Sequence, residues 1–274
     1  MKSVLIAVFL VAALASFGYG QSEEELAKAS QNPVANLISV PFQNNTNFGL
    51  GTYDRLQNVL NIQPVYPINA GPVNVITRTI APVVYQPDAV MIGGKRDVAE
   101  TGGTFGLGDI NATAFITPAA PGKVMWGVGP ILSFPSGSDA KLTTGKWGVG
   151  PSALVLAMPG RWVLGLLVNN VWSVAGDENR GDVNAFLAQP FANYNLPHGW
   201  YLSSSPIITA NWKAEEDDRW TVPFGAGVGK LHRFGKLPVN LAAHGYYNVV
   251  HLESANVPYA DWTLRAQVQL LFPK

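Results

Sequence analysis

The chain has no cysteine. That excludes disulfides, thiolate metal sites and a cysteine nucleophile, and it closes the lipoprotein route for the N-terminus. Charge is scarce as well. Asp, Glu, Lys and Arg make up 13% of the residues and cancel to a net charge of zero, about half the usual share for a soluble domain. So neutral a chain offers no basic surface for nucleic acid. Long apolar runs are missing beyond the leader. The nearest candidate, 153–174, is cut by Pro159-Gly160-Arg161 and again by Asn169-Asn170, so no transmembrane helix is expected. Low charge without a long apolar run fits a closed sheet that is apolar on one face only.

The N-terminus reads as a secretion address. Lys2 supplies the positive charge, 4–15 an apolar stretch, and Gly18 and Gly20 the small residues of a cleavage site. The expected organisation is a signal peptide over 1–20, a short periplasmic helix or tail over 21–34, and a barrel over 35–274. Ser22 and Glu25 form a capping box that opens a short helix through Ala29, ended by Pro33. Three placements of that helix are open: free in the periplasm, tucked into the barrel mouth, or frayed.

From about residue 35 onward one unit recurs: roughly ten residues of apolar/polar alternation, then a turn. The connectors alternate in length. Short ones lie at 69–72, 119–123, 159–161, 196–199 and 233–236; long polar ones lie near 44–57, 87–103, 135–146, 175–183, 214–219 and 252–261. Tight turns at one end and long loops at the other are the signature of an outer-membrane barrel. The expected fold is all-β: a transmembrane antiparallel up-and-down β-barrel of about twelve strands, with outer-membrane lipid around it. Trp126, Trp147, Trp162, Trp172, Tyr201, Trp212, Trp220 and Trp262 fall near segment ends, where interfacial aromatics belong. The motif Trp126-Gly127-Val128-Gly129-Pro130 recurs as Trp147-Gly148-Val149-Gly150-Pro151, one strand and connector later. Prolines 64, 82, 130, 151, 190, 206 and 223 fall inside predicted strands. Each must sit at a bulge or a strand end, and the glycines before Pro130 and Pro151 suggest bulges. A soluble sandwich would tolerate such prolines on its edges, but its outer faces should carry more charge.

Parity assigns the lumen. In the last strand Ala266, Val268, Leu270 and Phe272 share one face, and Arg265, Gln267 and Gln269 the other. The preceding strand sets Leu241, Ala243, Tyr247 and Val249 against Asn240, His244 and Asn248. The inward candidates are Arg78, Asp109, Asn111, Gln189, Asn193, His244, Arg265 and Gln267. Twelve strands give a lumen between the filled eight-strand and open sixteen-strand cases. Inward Arg and Asp then make either a selectivity constriction or a salt-bridge plug, the latter requiring Arg78 or Arg265 beside Asp109.

Other motifs carry less. Gly225 to Lys230 misses the phosphate-loop spacing, with Phe224 where the first glycine must stand and Leu231 where Ser or Thr must. Gly103 to Gly108 misses the dinucleotide pattern. Arg180-Gly181-Asp182 is a chance loop tripeptide. No His, Asp or Glu spacing suits a metal, and Glu215 to Asp218 reads as a solvated acidic loop. A lipolytic barrel would need a His beside a Ser, and His198, His232, His244 and His251 do not stand in the His-x-Ser-Asn setting of outer-membrane phospholipases. No catalytic residue and no cofactor is expected.

Four stretches, QNPVANLISVPFQNN over 31–45, NVLNIQPVY over 58–66, GLGDIN over 106–111 and GVGP over 127–130, are similar to parts of one bacterial family. It is the outer-membrane barrel family labelled for the MetA pathway of phenol degradation, or simply as transporters, and the resemblance spans nearly the whole mature chain. It implies passage of a small aromatic or hydrophobic solute, and it offers no catalytic residues to carry over. The functional expectation is a passive channel in the bacterial outer membrane. A lipid-modifying barrel, or a structural barrel acting through its loops, is the alternative.

Overall fold

The computed structural model describes residues 22–50, 54–88, 102–250 and 260–273; the leader expected over 1–20 lies outside them. Alternating residues of these strands satisfy the backbone by pairing with both neighbours, and the sheet closes on itself as a twelve-stranded antiparallel barrel. The strands are β1 (Ile38–Leu50), β2 (Arg55–Ile62 and Val65–Ala70), β3 (Val73–Pro87), β4 (Gly103–Leu107 and Ile110–Pro118), β5 (Val124–Phe134) and β6 (Lys146–Ala157). They continue as β7 (Trp162–Gly176), β8 (Asn184–Asn195), β9 (Trp200–Ser204 and Ile208–Asn211), β10 (Trp220–Phe234), β11 (Leu237–Val250) and β12 (Trp262–Phe272). Each pairs with the next, and β12 closes on β1 from Ile38↔Phe272 to Phe48↔Trp262. No described helix is long and apolar enough to cross a membrane.

The outer surface is apolar. Ile68, Val128, Leu132, Val155, Leu164, Leu202, Leu241 and Val268 all stand exposed on it. An outward face this apolar on a closed barrel is that of a bacterial outer-membrane barrel. Exposed tryptophans ring it twice: Trp126, Trp162 and Trp200 at the short-turn end, and Trp147, Trp172, Trp212 and Trp262 at the long-loop end. Tyr201 does not join them. It is 3% exposed and turns inward, donating from its hydroxyl to Asn240 Oδ1 at 2.8 Å. Its neighbour Trp200 takes the outward position that parity leaves free.

The prolines split into two groups. Pro64 and Pro206 fall in the interruptions of β2 and β9, and Pro223 at a register shift between β10 and β11. Pro82 lies where β3 passes from one half of β4 to the other, accepting from Gly108 N–H at 2.8 Å. The bulges expected at Pro130 and Pro151 are not there. The two prolines face each other in an unbroken register between β5 and β6, and the ladder simply lapses opposite them on the far side of each strand. The preceding glycines explain how. A Cβ on Gly129 would lie 1.8 Å from the carbonyl oxygen of Ala114, and one on Gly150 1.6 Å from that of Asn170. Only glycine lets these strands press so close to their neighbours.

The N-terminal segment is the remaining element. Helix α1 (Glu23–Ser30) starts with the expected capping box: Ser22 Oγ accepts from Glu25 N–H at 3.1 Å, and Glu25 Oε2 from Ser22 N–H at 2.9 Å. It neither frays nor hangs free. Leu26 and Ala27 are fully buried against Leu37, Leu231 and Leu271 at the short-turn mouth. The chain then runs through Ser30 to Ala35 across the lumen before entering β1.

Candidate functional site: the barrel lumen

Two flanks of the wall differ inside. From β3 to β8 the inward residues are largely apolar: Ile76, Phe115, Met125, Leu154, Leu156, Val163, Leu167 and Phe191 form one cluster, into which the N-terminal segment inserts Val34. From β9 round to β2 they are largely polar. Ser39, Gln43, Gln63, Ser203, Asn240, His244, Arg265 and Gln269 are all buried there. Buried polar groups need partners, and most of these find them across the strands or in the N-terminal segment.

That segment is held from both flanks. Gln31 and Asn195 exchange side-chain hydrogen bonds at 3.0 and 3.1 Å, and Lys28 Nζ donates to Gly160 O at 2.7 Å. On the polar flank a chain of bonds runs from Tyr201 to Asn240, from Asn240 Nδ2 to Gln269 Oε1 at 3.2 Å, and from Gln269 Nε2 to Ser30 O at 3.5 Å. The short-turn mouth is thus covered by backbone and a helix.

Among the described residues, cavities of about 170 and 390 Å³ open in the lumen above the helix. Arg265 lines both and so stands between them. Its Nε donates to Asn45 Oδ1 and its Nη1 to the Ser205 carbonyl, each at 2.9 Å, and its guanidinium lies 4.8 Å from the centre of the Tyr246 ring. The interruption of β9 is what frees that carbonyl, since Ser205 pairs with neither neighbouring strand. Ser205 also donates its N–H to the Tyr246 hydroxyl at 3.2 Å and accepts from Gln189 Nε2 at 2.8 Å. His244 sits opposite Arg265 in the ladder and stacks on Tyr246, with ring centres 5.8 Å apart. Both of its ring nitrogens are out of solvent and lack a hydrogen-bond partner.

Of the residues expected to face inward, Arg78, Gln189, Asn193, His244, Arg265 and Gln267 line the smaller cavity together. Asp109 and Asn111 line neither cavity. Asp109 lies at the long-loop mouth, where its carboxylate accepts from Gly137 N–H at 3.1 Å and from the Thr144 N–H and hydroxyl at 2.7 Å each. Burial raises the affinity of this carboxyl for its proton. The combined hydrogen bonds from Thr143, Thr144 and Gly137 outweigh that and hold it below the usual carboxylate range. Asn111 approaches only the Asp109 carbonyl, at 3.5 Å. A salt-bridge plug through Asp109 is therefore not formed. Arg78 bonds Gln63 instead, and the obstruction comes from the N-terminal segment.

Sequence reasoning missed Tyr201, Tyr246, Asn45 and Ser205 as lumen residues, and it missed the path of residues 30–35. The break at Pro206 was the one signal pointing to Ser205. Among the described residues no group of His, Asp or Glu side chains is placed to hold a metal ion. The unpartnered ring of His244 forms no Ser–His pair.

No family model matches the sequence, and no curated protein matches it. Solved structures do match in shape. An outer membrane channel from Pseudomonas putida F1 superposes with a TM-score of 0.64 at 17% identity, over 88% of this chain and 97% of that one. Outer membrane phospholipase A from Escherichia coli gives 0.45 at 12% identity over 93% of this chain and 99% of that one. The Pseudomonas putida toluene transporter TodX gives 0.43 at 10% over 94% and 93%. The last two are too distant for any feature to be carried across. The first shares the architecture, and the chain has the fold of a bacterial outer-membrane β-barrel.

Proposed function

We propose that this barrel is an outer-membrane channel for a small apolar or aromatic solute, closed at its periplasmic end by the docked segment 22–35. The observation that carries the reading is the pair of cavities separated by Arg265. The wall of a twelve-stranded barrel is too wide for its own side chains to fill, and here the closing material is a separate stretch of chain. The apolar cluster on one flank gives such a solute a surface to follow. The same fold serves as an outer membrane channel in the Pseudomonas putida F1 protein. The family suggested by the sequence resemblance has the same expected role.

The test is single-channel conductance of the refolded protein in planar bilayers, with and without residues 22–35. Small or rare openings in the intact protein and a several-fold larger, steady conductance in the truncated one are expected. Equal conductance in the two would show that the segment does not close the path. No conductance from a truncated barrel that still shows heat-modifiable migration would overturn the channel reading.

A further inference from the structure

We propose that the smaller cavity is a binding site for a small organic monoanion, a single carboxylate on an apolar body of about one ring. The inference rests on the channel reading only in treating the lumen as the solute's path.

Three observations converge on the site. The first is charge. Arg78 and Arg265 both line this cavity, and neither has a carboxylate partner among the described residues: Arg78 bonds the Gln63 amide, and Arg265 bonds Asn45 and a backbone carbonyl. Arg265 is 6% exposed. A buried cation is ordinarily paired with an anion, so Arg265, supplied only with neutral partners, leaves a counter-charge to be provided, and the half-buried Arg78 adds a second positive charge to the same cavity. Each also keeps donors in reserve. Among the described residues, nothing accepts from Nη2 of Arg265 or from Nε and Nη1 of Arg78. A carboxylate accepts charge-assisted hydrogen bonds from a guanidinium, and these donors are left to make them.

The second observation is His244. It lines the same cavity, beside Arg265 in the ladder, and both of its nitrogens are buried without a partner. Unmet polar atoms at a buried site call for an occupant that can meet them, and a carboxylate oxygen accepts from an imidazole N–H.

The third is shape. The cavity measures about 170 Å³, and an apolar cavity of roughly 150 Å³ takes up one benzene ring. Leu167 and Phe191, both members of the apolar cluster, line it as well. A ligand there meets both apolar carbon and guanidinium. A bare inorganic anion would leave the apolar wall unused, and a neutral ring would leave both arginines uncompensated.

The experiment is calorimetric titration of the full-length refolded protein in detergent with benzoate, benzyl alcohol and chloride as probes. Benzoate should bind at a single site. Benzyl alcohol, of nearly the same shape, should bind at least about tenfold more weakly, the loss expected for one charge-assisted hydrogen bond. Chloride should not displace benzoate. Arg265→Gln should weaken benzoate by about tenfold or more on the same grounds and leave benzyl alcohol unchanged. Leu167→Trp, which fills the cavity and keeps both arginines, should abolish benzoate binding. Equal affinity for benzoate and benzyl alcohol, displacement of benzoate by chloride, or undiminished binding in Leu167→Trp would each overturn the proposal. Should Arg265→Gln fail to fold, the comparison of probes on the unaltered protein and the Arg78→Gln variant decide it in the same way. Conductance is a separate readout. Conductance from the truncated barrel with no benzoate binding by the full-length protein refutes this site and leaves the channel; benzoate binding by the full-length protein with no conductance from the truncated barrel does the reverse.

Discussion

The two flanks of the lumen teach different lessons about one wall. Around β9 to β2 the inward face is Asn, Gln, Ser, Tyr and Arg, and its members satisfy one another through chains such as Tyr201–Asn240–Gln269. Around β3 to β8 most of the inward face is Ile, Leu, Val, Phe and Met, packed with Val34 of the N-terminal segment in one cluster, with Arg78, Gln189 and Asn193 as polar exceptions beside the smaller cavity. The outside of both flanks is the same apolar surface. Lipid therefore constrains only the outer face. The inner face is free to be wet on one side and dry on the other, and the closing segment uses both chemistries to hold its place.

If the dry flank is a true core, Leu156→Ala should be the most damaging change among those considered. Leu156 is 2% exposed within the apolar cluster. Its truncation should cost about 2–5 kcal/mol, read from the urea midpoint of the barrel in lipid vesicles. An unchanged midpoint would mean that this flank is loosely packed and solvated.

Next in size is Asp109, which belongs by strand to the dry flank but is used at the mouth. Hydrogen bonds to a charged group contribute about 1.5–3 kcal/mol, so Asp109→Ala should release the loop over 135–145. The readout is faster cleavage of that loop by added protease, with ion selectivity unaltered. The folded carboxyl titrates below its ordinary value of 3.8. Its contribution is therefore fully present above about pH 4 and is lost as the pH falls through the lower folded value. Acid should loosen the loop in the parent protein and add nothing in Asp109→Ala. A selectivity change in Asp109→Ala would put this residue back in the conduction path.

On the wet flank, Asn240→Ala strands the buried Tyr201 hydroxyl and one end of Gln269, a cost of about 1–3 kcal/mol. The change should also raise the open probability of the channel, because Gln269 helps hold Ser30. A stability loss without any change in opening would separate the polar chain from the closing segment.

The smallest effect is expected at the long-loop half of the wet flank. There Asn47 Nδ2 donates to Gln57 Oε1 at 2.7 Å, and Thr263 donates to Asn47 at 2.7 Å, beside the larger cavity. Gln57→Ala should cost about 0.5–1.5 kcal/mol and leave opening as it is. A loss as large as that of Asn240→Ala would erase the distinction between the covered and uncovered ends of the lumen.

The same contrast explains what could be read from the sequence. On β11 and β12, Asn240, His244, Arg265 and Gln269 alternate with Leu241, Ala243, Ala266 and Val268, so the inward face is visible by polarity alone. On β6, Leu154 and Leu156 point inward while Val155 points out, and the alternation vanishes because both environments are apolar. Parity also tells which way a side chain leaves the strand but not how far along the lumen it sits. That is why Asp109 looked like a partner for Arg265 and proved to be a loop anchor at the mouth.

By itself the sequence determined the barrel, its twelve strands, its two ends and the outward face, because each follows from a period of two, a turn signal or the cost of an unpaired backbone group in lipid. It also determined that a helix starts at Ser22, since a capping box is complete within four residues. Only the tertiary structure decided where that helix goes, what Arg78 and Arg265 bond to, and why Ser205 leaves its ladder. Those depend on side chains from strands far apart in sequence meeting in one lumen. No local pattern records how a closed sheet brings residue 30 beside residue 269.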